Sequence, residues 1–315
     1  MNKAAWGAFW ILGFIWGSSF LLIHIGVEDI PATQLVLIRV TIAAIGLNIV
    51  RILKGVSLPR DWPTIRAFIL IGGGNAAIPY TLISLGEQNI SSGMAAVLQS
   101  TASLFTLIIA HFAFADERMT PRKIGGLVIG FSGVILLSSD SIEAGAVNTA
   151  ILLGQLAIVV ASMFYATFIV YSRRVIKRDI APIVISSGTF IPAIGWAALF
   201  VVLEPLLGGR AFVPFQDLPN GAIMAAFGLG FFNTFIAYLF FYFIIQQLGS
   251  FRASMVTYIV PVVGLVLGAL LNDEIITPAM FFGALLIFTG IGVINVRLPA
   301  LMALFRRGSA EVPSV

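Results

Sequence analysis

The segment Gly72-x-x-Asn75-x-x-Ile78-x-Tyr80 is written twice in this chain, returning 158 positions later as Gly230-x-x-Asn233-x-x-Ile236-x-Tyr238. A second block, Asp116-Glu117-x-x-Thr120-Pro121, returns after 157 positions as Asp273-Glu274-x-x-Thr277-Pro278, and Gly126, Phe131 and Gly133 are echoed by Gly283, Phe288 and Gly290. A period of this length is beyond the 20–50 residues of solenoid repeats. It requires two homologous halves of about 150 residues, and any fold for the chain must be built from two copies of one unit.

Each half is apolar enough to live in a bilayer. The chain is 59% hydrophobic and 10% charged, against about 25% charged in soluble domains. Ten runs have the ~20 helical residues that cross a ~30 Å hydrocarbon core. They fall at 4–26, 32–54, 64–86, 91–115 and 121–139 in the first half. In the second half they fall at 150–172, 180–204, 219–246, 249–271 and 277–297. The runs are too long for barrel strands and do not alternate, so they are helices. The expected fold is therefore all-α and integral to the membrane. Residues 1–140 form the first five-helix repeat, 141–297 the second, and 298–315 a short cytoplasmic tail.

Five is an odd number, so the second copy must enter the bilayer from the opposite side and the repeats are inverted. The charges agree. With the N-terminus inside, 16 of the 18 cations, Lys177, Arg178, Arg297, Arg306 and Arg307 among them, fall on the inner side. Arg210 falls outside and Arg39 within a span. By the positive-inside rule both termini are cytoplasmic, in a bacterial-type inner membrane. The net charge of +4 then reflects topology and calls for no nucleic-acid partner. The bilayer and a small-molecule substrate are the expected partners, and a monomer suffices while leaving room for an oligomer. The first span lacks a small-residue cleavage site and is read as retained.

No cysteine and two histidines are present, so thiolate chemistry is excluded and no metal or cofactor is expected. The polar and aromatic residues within the spans are the site candidates. Trp16, Ser18 and Ser19 lie beside Gly13-x-x-x-Gly17, where they either face a cavity or accompany close helix packing. Arg39 either snorkels, pairs with Glu28 or Asp29, or meets substrate. Asn75 sits before Pro79, which cannot donate to the carbonyl four residues back. With Gly72-Gly73-Gly74 this makes helix 3 a poor uninterrupted helix and Asn75 a cavity candidate. Gln99, Tyr80 and Tyr165 join them, as do Asn233, Tyr238 and Tyr258 from the second half, with Pro79, Pro192 and Pro261 as hinges. The glycine-spaced helices 5 and 10 read as packing helices.

These residues resemble the drug/metabolite transporter superfamily, and within it the ten-helix EamA type. The resemblance covers about residues 4–297. It is carried by Trp16-Gly17-Ser18-Ser19-Phe20, Arg39, and the run from Ala237-Tyr238 through Pro261 to Asp273-Glu274 and Gly290. It implies export or exchange of small metabolites, often amino acids including aromatic ones, through a cavity formed mainly by helices 1, 3, 4, 6, 8 and 9. One departure is Leu104, where the family often has proline, so the first half is expected to bend at Pro79. Alternating access about a midplane site is the mechanism such inverted repeats imply.

Two other classes are weighed. Gly130-Phe131-Ser132-Gly133 has the form around a rhomboid-like serine nucleophile, yet both histidines lie near span ends and the repeat copy reads Ile287-Phe288-Thr289-Gly290, as packing would. A channel-like pore lacks a ring of charges or a filter sequence. The expectation is a transporter and not an enzyme. All fourteen acidic residues fall in loops or at span ends, so the default is a facilitator or exchanger with no proton carrier at mid-membrane.

Overall fold

The computed structural model describes residues 2–143, 146–176 and 180–295. Lys177, Arg178, Arg297, Arg306, Arg307 and the tail 298–315 lie outside the described residues. Among the described residues ten helices carry the fold: α1 (Lys3–Asp29), α2 (Ala32–Leu53), α3 (Trp62–Gly86), α4 (Ser92–Ala113), α5 (Pro121–Leu137), α6 (Thr149–Val175), α7 (Pro182–Leu206), α8 (Asn220–Leu248), α9 (Arg252–Leu271) and α10 (Pro278–Asn295). Eight are long and apolar enough to cross a bilayer. The other two, α5 and α10, have 17 and 18 residues, the lower end of the ~17–25 that span. A two-residue antiparallel hairpin, Ile142–Glu143 with Ala146–Val147, links the two halves. Side chains such as Phe112 and Leu53 are more than four-fifths exposed. Large apolar side chains left bare on many helices are what lipid, not water, solvates.

Local sequence sets the helix starts. Asn2, Asp61, Ser91, Thr120 and Asn148 each accept a main-chain N–H of the first turn, meeting donors that no earlier carbonyl can reach. Helix α2 begins after Pro31 with no such local cap. Its cap comes from across the molecule, where Glu204 at the end of α7 accepts from the Thr33 N–H at 3.1 Å and from the Thr33 hydroxyl.

The expected break in α3 is not a break. The helix runs continuously from Trp62 to Gly86, widened over Gly73–Ala77 into a π turn in which the Ile78 N–H reaches the Gly73 carbonyl. A wide turn absorbs the donor that Pro79 lacks without unwinding the chain. The triple glycine serves packing. A Cβ on Gly72 would come within 2.4 Å of the Thr189 carbonyl oxygen of α7, and one on Gly74 within 2.0 Å of the Phe168 ring of α6. The second half repeats the π turn over Phe231–Ile236, although Ala237 stands where the first half has Pro79.

Helices α4 and α9 show the same pattern. α4 is interrupted at Ser100 and Thr101, whose hydroxyls accept no helix donor but donate to the Val97 and Leu98 carbonyls at 2.6 Å each. α9 is interrupted by a 3₁₀ turn over Met255–Tyr258, where the Thr257 hydroxyl donates to the Ser254 carbonyl at 2.8 Å. Only the second copy carries a proline there, Pro261; the first has Leu104. Hydroxyls bonding three residues back tighten the turn in both, so α4 is interrupted without its proline, and the bend expected at Pro79 is not needed to account for that interruption.

Helices α5 and α10 pack backbone against backbone. A Cβ on Gly126 would lie 2.7 Å from the Gly290 carbonyl oxygen, and one on Gly133 2.6 Å from that of Gly283. Under the sequence duplication Gly126 corresponds to Gly283 and Gly133 to Gly290, so the two contacts exchange into one another. This is the self-complementary geometry of a two-fold interface, here within one chain. Gly13 and Gly17 of α1 likewise face Ile259 and Val263 of α9 with no room for a Cβ, the packing use of that motif.

Candidate functional site

Arg39 sits where the halves meet. It is 7% exposed, and its guanidinium lies 3.9 Å from the centroid of the Tyr80 ring. Its Nε donates to the Thr234 hydroxyl at 2.9 Å. That hydroxyl in turn donates to the Leu229 carbonyl five residues back at 2.8 Å, so the π turn of α8 is what aims Thr234 at α2. No carboxylate pairs with Arg39 among the described residues. Glu28 and Asp29, the expected partners, present their main-chain carbonyls to Arg210.

Three tyrosines close on the same place. Tyr80 and Tyr165 rings are 6.3 Å apart, and Tyr238 packs edge-on to Phe190 at 5.3 Å and to Tyr242 at 6.0 Å. Tyr165 lies on both of the larger apolar clusters of the core and joins them. The five aromatic candidates are not one wall. Trp16 belongs with Phe9 and Leu12 and leans on Phe241 at 5.3 Å, while Tyr258 lies on the cluster with Phe20 and Met94.

The two asparagines differ in what they hold. Asn233 donates to the Ile15 carbonyl and to the Ser18 hydroxyl at 3.0 Å, fastening α8 to α1. The Ser18 and Ser19 hydroxyls donate to the carbonyls of Ile15 and Trp16. Asn75 Oδ1 is buried with no hydrogen-bond partner. Gln99 is met by the Ser162 hydroxyl at 3.4 Å. Pro79 and Pro261 are buried, and Pro192 lies inside α7. A groove of about 400 Å³ between α2 and α8, lined by apolar side chains such as Ile38, Ile42, Phe215 and Phe227, shares no residue with this cluster. Ser132 is exposed, with its hydroxyl donating to the Ile129 carbonyl at 2.7 Å, and no group of three metal-ligating side chains exists among the described residues.

A second polar group lies at the end of the bundle where α3 passes to α4, and sequence reasoning placed Glu87 and His24 only at span ends, without joining them to Glu274. Glu87, the residue after α3, is fully buried and neither carboxyl oxygen has a hydrogen-bond partner. The His24 Nδ1–H of α1 donates to the Glu87 main-chain carbonyl at 3.1 Å. Glu274, from the segment leading into α10, accepts from the Ser92 and Gly93 N–H groups at 2.8 and 2.9 Å, capping α4 from 181 residues away. Burial above all, and then the Glu274 carboxylate, push the Glu87 carboxyl well above the usual carboxylate range, with Arg39 opposing. The only signal in the sequence was that Glu87 and Glu274 end or follow spans. The copy of Glu274 in the first half, Glu117, pairs instead with Arg173 at 2.9 Å on the exposed surface.

Ten helices in two inverted sets of five around a buried polar and aromatic cluster define a polytopic membrane protein. The chain belongs to the EamA-like transporter family, whose model matches residues 5–139 and again 152–296. It is 31% identical over 271 residues to YedA of Escherichia coli (strain K12), described as an uncharacterized inner membrane transporter, covering 85% of this chain and 83% of YedA. It is 25% identical over 290 residues to a probable amino-acid metabolite efflux pump of the same strain, covering 88% and 90%. A solved structure at 19% identity, covering 94% of this chain and 97% of its own, superposes with a TM-score of 0.64, a likeness of fold.

Proposed function

We propose that the protein is a secondary transporter of a bacterial-type inner membrane that exports or exchanges a small neutral or zwitterionic metabolite by alternating access, with amino acids, aromatic ones included, as its substrate class. The observation that carries this is Arg39. A guanidinium buried between two halves without a carboxylate is costly in a membrane, and a substrate carboxylate is the group it best accepts, through a bidentate fork that lysine lacks. Tyr80, Tyr165 and Tyr238 supply rings with hydroxyl donors for an amphipathic side chain, and the open Asn75 Oδ1 is an acceptor for an ammonium group. The name of the efflux-pump relative points to the same class.

Repeats 1–140 and 141–297 then rock about the cluster, with both termini cytoplasmic and the tail 298–315 on that side. Two capping carboxylates at corresponding places, Glu274 closed on α4 and Glu117 turned to Arg173, support a state sealed at the end opposite the termini. Purified protein in liposomes preloaded with phenylalanine tests the reading. Saturable efflux that other amino acids inhibit, phenylalanine amide does not, and Arg39→Ala loses is the expected result. Efflux linear in concentration and unchanged in Arg39→Ala would indicate a pore.

A further inference from the structure

Glu87 is a carboxyl group with nothing to neutralise it. A buried carboxylate persists when a cation pairs with it or several N–H groups solvate it, and otherwise it takes up a proton. Each neighbour is otherwise engaged. His24 of α1 gives its Nδ1 proton to the main-chain carbonyl of Glu87, not to its carboxyl group. Arg39 of α2 is held by Thr234 and stacked on Tyr80. The N–H groups opening α4 are a positive pole at this end of the bundle, and Glu274 already occupies them. From α6, the Gln155 amide donates to the Met94 sulfur and the Leu137 carbonyl, and neither α4 nor α6 brings a charged group to this place among the described residues. The Ser92 hydroxyl beside Glu274 is also buried without a partner.

Two carboxyl groups thus share one end of the bundle with one set of donors. We propose that Glu87 is a proton-binding site, and that the proton it takes from the outer side holds the α3–α4 end of the transporter shut. Loss of the proton places a second negative charge near Glu274 in a dry site, which is relieved by admitting water and parting α4 from Glu274. The raised carboxyl value fixes the sign: in the closed form the proton is bound below the shifted value and released above it, so closure weakens as the outer pH rises. The site lies at one end and not at mid-membrane, so the proton acts as a ligand of the gate and is not carried across. The inference rests on the alternating-access reading, and its test needs no turnover.

The natural chain has no cysteine, so Ser92→Cys is a single reporter at a position whose hydroxyl makes no hydrogen bond. Its labelling by an impermeant thiol reagent in liposomes is divided by that of Gln216→Cys, an exposed outer-loop position, to remove the pH dependence of the thiol itself. The ratio should rise about tenfold or more as the pH is raised upward from the ordinary carboxyl range. It should stay low throughout when Glu87→Gln is added, and rise as before with His24→Gln. Difference infrared spectra, recorded at pH values where ordinary carboxyl groups are ionised, should show a protonated carboxyl in the wild-type protein that is absent from Glu87→Gln. A flat wild-type ratio, no protonated carboxyl in the wild type, or an unchanged rise in Glu87→Gln would each overturn the proposal, and the first two stand even if the glutamine variant does not fold. Labelling that titrates in a protein without flux would sink the transporter reading and leave the proton site.

Discussion

Removing the Glu274 carboxylate should open the α3–α4 end, and the size of the effect follows from its contacts. Glu274 accepts two N–H donors of α4, from Ser92 at 2.8 Å and Gly93 at 2.9 Å, and Ser92 is fully buried. Hydrogen bonds to a charged group contribute about 1.5–3 kcal/mol each. Both bonds draw on one carboxylate that regains water when the end parts, so a net ~2 kcal/mol in favour of closure is the better figure. At 1.36 kcal/mol per factor of ten, Glu274→Ala should raise the open fraction about 30-fold. Glu274→Gln retains one acceptor oxygen and should give about half the free-energy change, or roughly 5-fold. The readout is the labelling rate of Ser92→Cys relative to Gln216→Cys at fixed pH. Glu117→Ala removes an exposed pair with Arg173, worth at most ~1 kcal/mol, and should leave that ratio alone. A folded Glu274→Ala protein that labels no faster than the parent would refute the reasoning.

Four further outcomes are expected. Asn75→Leu should abolish flux with little change in the detergent melt, because Asn75 Oδ1 has no partner to lose, whereas Asn233→Leu should also lower the melt by the ~0.6–1.7 kcal/mol of an interhelical bond; equal melting of the two would contradict this. Arg39→Lys should lose flux about 100-fold or more, nearly as Arg39→Ala does, since the ammonium lacks the fork; full activity of the lysine variant would argue against carboxylate recognition. Gly133→Leu puts a side chain where a Cβ alone would stand 2.6 Å from the Gly283 carbonyl, and should prevent recovery of folded protein by size-exclusion; a normal profile would deny the seam. Single cysteines at Ser57 and Ser309 should be shielded in intact cells and ones at Asn148 and Asn272 labelled; labelling at Ser57 would reverse the orientation.

The helices and their inversion were legible because they follow from patterns a linear chain displays: apolar length, period and charge. The glycine rows of α5 and α10 were legible as packing for the same reason, and the seam bears that out. Proline misled. It marks where a helix lacks a donor, yet the π turns at Gly73–Ala77 and Phe231–Ile236 and the tightened turns at Ser100 and Thr257 recur in both copies while Pro79 and Pro261 occur in one copy each. The hydroxyls of Ser100, Thr101, Thr234 and Thr257 were the better sign, being able to take a carbonyl within their own helix. The caps supplied from across the molecule could not be read at all. Glu204 to Thr33 and Glu274 to Ser92 join residues 171 and 182 apart in the chain, and nothing local to a span-end glutamate tells whether it meets water or another helix.

The glycine seam has a consequence for how such a molecule moves. Exchanging the conformations of two inverted halves leaves unchanged only what lies on the axis relating them, and the contacts Gly126–Gly290 and Gly133–Gly283 transform into each other under that exchange. On the alternating-access reading proposed above, the α5–α10 pair is a fulcrum: the remaining helices swing as lever arms, while the pair neither gains nor loses contact between the two extremes. Cross-linking it should cost no transport, and the smallest residue in the alphabet is used there to hold still what everything else turns about.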